Sequence, residues 1–156
     1  KCNNTMKHVY DILDTLKTEL RANPSVNTVT DGDITEVDLD KTTMFPLSHI
    51  IIRSFSPTSE ARTLKFMVSI LCADIVDYNI APSNFDEFYG NNNQQDVLNT
   101  QAEVINSLST KMIRGSLFKN KYRVSNSPVS EIFKDGGIIG WTTDIEIEVP
   151  NNISTC

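Results

Sequence analysis

The chain has 156 residues, enough for one domain with a sizeable core, since a chain of this length buries roughly 70% of the surface its unfolded form exposes. Its 39% hydrophobic and 22% charged residues lie outside the compositions that mark disorder. The formal net charge of −6 argues against nucleic-acid binding as the main task, because the molecule as a whole repels a phosphate backbone.

Along residues 6–22, Met6, Val9, Ile12, Leu13, Leu16 and Leu20 recur at three- and four-residue spacing, with Lys7, Asp11, Asp14, Lys17 and Glu19 between them. This spacing predicts an amphipathic helix with His8 on its polar flank, Thr5 as N-cap and Asn23-Pro24 as the stop. Strands are expected between residues 26 and 75. Two short ones, over 26–30 and 34–39, flank the turn signal Asp31-Gly32-Asp33. The β-branched run over 45–55 and the alternating Leu64, Phe66, Val68, Ile70 and Cys72, joined through Ser56-Pro57-Thr58-Ser59, form the clearest hairpin.

Residues 77–93 show neither a helical nor a strand period and are expected to form a long loop. Its Tyr78, Phe85, Phe88 and Tyr89, followed by Asn91, Asn92 and Asn93, suit either rings tucked back onto the domain or a contact with a partner subunit. A second helix is expected over 95–114. Val97, Leu98, Val104, Ile105, Leu108, Met112 and Ile113 hold one side, Asp96, Gln101, Glu103 and Thr110 the other, and Arg114-Gly115 supplies the end. Strands follow over 122–149, with a turn at Asp135-Gly136-Gly137. In the last of them Trp141, Thr143, Ile145, Ile147 and Val149 share one face and Asp144, Glu146 and Glu148 the other. This order predicts a single α+β domain over 1–156: a mainly antiparallel sheet with two helices packed on one face.

Chemistry is sparse. The sequence has only two histidines, of which His49 reads as a satisfied strand residue. No nucleophile elbow or phosphate-cradling motif is present, although a Cys-His or Ser-His pair formed in space is left open. The acidic set Asp31, Asp33, Glu36, Asp38 and Asp40 lacks calcium-loop spacing. In an extended strand Glu36, Asp38 and Asp40 would point to one side, as a solvated or pore-facing stripe. Asp144, Glu146 and Glu148 repeat that pattern. The basic cluster Lys111, Arg114, Lys119, Lys121 and Arg123 straddles a predicted helix end, where the helix dipole favours cations. Among the cysteines, Cys72 reads as a small core residue, while Cys2 and Cys156 are expected to be free thiols, able at most to reach a neighbouring subunit. The expectations are no enzyme activity, no metal or other cofactor, no membrane span, and synthesis inside the cell.

Four tracts carry a resemblance: GDITEVDLDKTTMFPLSHI at 32–50, VSILCADIVD at 68–77, GNNNQQDVLNTQ at 90–101, and the ending over 140–156. In this order they resemble small virion proteins of tailed bacteriophages, the tail-completion or tail-terminator family. That resemblance implies an α/β-sandwich subunit forming a homo-oligomeric ring, commonly a hexamer, at the head-proximal end of the tail. Its partners would be copies of itself and neighbouring neck, tail or connector proteins, with DNA passing through the lumen without sequence-specific binding. The protein would be made in the host cytoplasm and end in the virion. A head-tail joining or short-tail adaptor ring is the nearest alternative. More remote ones are a cellular adaptor or binding module, which would form no ring, and a metal-dependent enzyme using Asp31 and Asp33.

Overall fold

A computed structural model of the chain describes residues 7–60, 62–77, 93–119, 121–124 and 126–151. Two helices, α1 (His8–Arg21) and α2 (Gln94–Ile113), accompany the strands β1 (Thr28–Asp31), β2 (Leu47–Pro57), β3 (Thr63–Ile75), β4 (Arg123–Val124), β5 (Val129–Asp135) and β6 (Ile138–Pro150). These make a six-stranded sheet in the order β1-β2-β3-β6, with β4 and β5 both lying beside β6. Among the described residues only β1 is parallel to its neighbour, and every other pairing is antiparallel. The fold class expected from the sequence is the one observed.

The period of two in the long strands decides which face is covered. Leu64, Phe66, Val68, Ile70 and Cys72 of β3 stand beside Val149, Ile147, Ile145, Thr143 and Trp141 of β6, and all but the partly buried Trp141 are buried. Onto this face α1 lays Ile12, Leu16 and Leu20, and α2 lays Val104, Ile105, Leu108 and Met112. Burying a side chain of this kind contributes about 1.5–3 kcal/mol, so these stripes fix the seating of both helices. The indole N–H of Trp141 donates to the Leu98 carbonyl at 2.8 Å and ties β6 to α2.

The centre of the sheet tolerates no side chain at Gly140. A Cβ there would lie 2.0 Å from the Cys72 carbonyl oxygen and 2.6 Å from the Ala73 Cα. Glycine in a strand interior often marks such a close approach of two backbones.

Four expectations are corrected. Residues 34–39 form no strand: Ile34–Glu36 is a 3-10 turn, because the Asp33 carboxylate accepts the Thr35 N–H at 2.9 Å and holds the backbone in a turn. Glu36, Asp38 and Asp40 therefore make no strand stripe. The strand before Gly32, whose φ is +110°, does not turn back as a hairpin but runs parallel to β2, with Thr28 level with Leu47 and Asp31 with Ile50. In α2, Gln101 is fully buried and Ile113 is 62% exposed, the reverse of the sides assigned to them. His8, expected on a polar flank, is buried against Tyr122.

Candidate assembly surfaces

The two acidic stretches fare differently. In the first, Asp31 pairs with Lys17 of α1 at 2.6 Å, and Asp33 and Asp38 hold the N–H groups of Thr35 and Asp40. The Thr35 hydrogen bonds keep the Asp33 carboxyl below the usual carboxylate range. These acids shape a local turn rather than converging, and no metal-holding cluster is found among the described residues. The second stretch lies on the sheet face away from the helices, where it forms the carboxylate half of a cross-strand ladder. Lys65 binds Glu146 at 3.0 Å, and the Thr63 hydroxyl donates to Glu148 at 2.7 Å. Ser69 donates to Asp144, and Arg53 lies 3.8 Å from the same carboxylate. Arg123 of β4 stands opposite Glu148. The expected acidic stripe is thus an interleaved polar face, in which opposite-charge neighbours each contribute roughly 0.2–1 kcal/mol.

Of the loop residues expected to contact a partner, Tyr78, Phe85, Phe88, Tyr89, Asn91 and Asn92 lie outside the described residues. Asn93 is described: it precedes α2, and its side chain accepts the Asp77 N–H at 2.7 Å. The basic cluster is partly consumed by ion pairs, with Lys111 bound to Glu19 and Lys121 to Asp11.

The two histidines are structural in their contacts. His49 is fully buried, its Nδ1 2.7 Å from the Thr30 hydroxyl and its Nε2 3.2 Å from the Gly32 carbonyl. Burial pushes its imidazole below the usual histidine range. His8 Nδ1 lies 3.0 Å from the Tyr122 hydroxyl, which donates to Asp11, itself bound to Lys121. Hydrogen bonds from Lys121 and Tyr122 hold the Asp11 carboxyl below its ordinary value. Burial lifts the Cys72 thiol to about 12, so it is no nucleophile at neutral pH.

What the described surface does offer is open edges. Strand β5 pairs with β6 on one side and carries Val129, 69% exposed, and Ile132, 60% exposed. Sequence reading did not single it out, because nearly every residue of β5 is exposed and no alternation of burial marks it. Beside it, Ile105 and Ile113 of α2 with Pro128, Ser130 and Trp141 line an apolar groove of about 320 Å³. At the opposite end of the sheet, β1 has β2 on one side only among the described residues.

No protein-family model matches the chain, and no curated protein does.

Proposed function

We propose that the chain is a non-enzymatic structural subunit of a tailed-phage virion, assembling as a homo-oligomeric ring at the head-proximal end of the tail, where DNA passes through the lumen. The segment resemblance brings this reading forward, and the observation that carries it is the exposed apolar edge at β5. Among the described residues β5 is paired on one side only, and an edge strand that also carries two large exposed apolar side chains invites another chain. A closed ring presents two different patches per subunit, and the sheet has two different ends to supply them. The interleaved ladder of Arg53, Lys65, Asp144, Glu146 and Glu148 gives a face of mixed sign, suited to passing DNA without holding it.

The test is sedimentation and negative-stain electron microscopy of the purified full chain over a wide concentration range. Rings with a central opening are expected. A single-copy mass at every concentration, with no ring in any image, overturns the reading.

A further inference from the structure

Among the described residues, the strands at the two ends of the sheet, β1 at one and β4 with β5 at the other, run in opposite directions. β1 is parallel to β2, and each step from β2 to β3, β6 and β5 reverses direction, which leaves β5 antiparallel to β1. A second copy brought alongside without being turned over therefore sets its β1 antiparallel to the first copy's β5. Such neighbours can exchange main-chain hydrogen bonds directly.

Register extends the match. Thr28, Leu47, Ala73, Gly140 and Phe133 stand in one row across the sheet, and the next row holds Val29, Ser48, Cys72, Trp141 and Ile132. The β1 and β5 segments are therefore level, and side-by-side copies oppose Thr28 to Phe133, Val29 to Ile132, Thr30 to Glu131 and Asp31 to Ser130. Val29 and Ile132 share the helix-covered side, and no pair opposes like charges.

The helix layer supplies a second contact on that side. Lys17 reaches Asp31 on β1, so its flank of α1 faces the β1 end of the sheet. Tyr10, one heptad earlier, shares that flank and is 71% exposed. At the other end of the sheet, on the same side, lies the groove of Ile105, Ile113, Pro128 and Trp141.

We infer that copies of this chain join head to tail by continuing the sheet, with β5 of one subunit pairing with β1 of the next and Tyr10 of that next subunit entering the α2–β5 groove. The inference rests on the ring reading and gives its seam. It predicts a heterologous contact, in which every copy uses both patches.

Disulfide trapping tests it, in a chain carrying Cys2→Ser and Cys156→Ser with the buried Cys72 retained. The pair Val29→Cys with Ile132→Cys, and independently the more exposed pair Asp31→Cys with Ser130→Cys, should give a ladder of covalent multimers under mild oxidation. Each single variant should stay uncross-linked. Separately, Ile132→Lys should weaken association by about tenfold or more, as expected for a charge placed in a buried seam. Covalent dimers from Ile132→Cys alone would mean a two-fold β5–β5 contact and overturn the seam. Rings seen by microscopy with no ladder from either pair would overturn the seam and leave the ring reading standing. The absence of both rings and multimers would overturn both.

Discussion

Each helix buries one polar side chain toward the sheet layer, and the two have opposite surroundings. His8 of α1 enters a chain of hydrogen bonds through Tyr122 to Asp11 and Lys121. Gln101 of α2 is fully buried, and neither its amide nitrogen nor its oxygen has a hydrogen-bond partner among the described residues. A satisfied buried group contributes about 1 kcal/mol, whereas an unsatisfied one costs about 1–3 kcal/mol. The same kind of residue is thus a clamp on one helix and a burden on the other.

The contrast breaks most sharply at Tyr122. It is 2% exposed and packed into the core beside Phe118, so Tyr122→Ala should cost about 3 kcal/mol, read as a lower urea midpoint. Tyr122→Phe keeps the ring and removes only the hydroxyl, and a loss of about 1–2 kcal/mol would isolate the hydrogen bonds. A loss below 0.5 kcal/mol, on the order of a neutral surface change, would mean the chain of bonds holds nothing. Gln101→Met should act in the opposite direction, stabilising by about 1 kcal/mol, because it keeps the shape and removes two unbonded polar atoms. Destabilisation by that change would show that the amide is satisfied in solution.

Asp11→Asn should lose about 1 kcal/mol at most, since the carboxylate is partly exposed. Because the fold holds the Asp11 carboxyl below its ordinary value, its contribution is present above the unfolded carboxylate value near 4 and is lost as pH falls through the folded one. Unfolding midpoints of the variant should therefore depend less on acid than those of the parent. His49 extends the comparison. Burial depresses its imidazole, so the unfolded chain takes up a proton first, and stability should already fall as pH drops below about 6.5. His49→Gln should flatten that slope, and an unchanged slope would assign it elsewhere.

Much of the fold is legible from periodicity. Strands β3 and β6 show their faces in the sequence because each is long and covered by helices on one side, whereas β2 shows only a β-branched run, its first four residues being buried on both faces. The short elements fail for identifiable reasons. Residues 34–39 alternate like a strand, yet Asp33 offers its backbone a nearer acceptor than any neighbouring strand does. A parallel pairing such as β1 with β2 leaves no turn signature, since the residues that join the strands carry none of the register. Strand β5 is nearly all exposed and has no period to read. His8 and Gln101 look like surface residues because polarity alone does not say whether a partner waits inside. Of the candidate site, the carboxylates of β6 were visible in sequence. Their partners Arg53 and Lys65 were not, because only the register brings them together.

The buried thiol at Cys72 has a practical consequence. It sits in β3 between Ser48 of β2 and Trp141 of β6, with its pKa near 12, so alkylating reagents can reach its thiolate only when the sheet parts. With Cys2 and Cys156 removed, its rate of labelling becomes a clock for opening of the sheet's centre. If copies join as proposed, that clock, run before and after assembly, measures how far the joining slows the opening of each one.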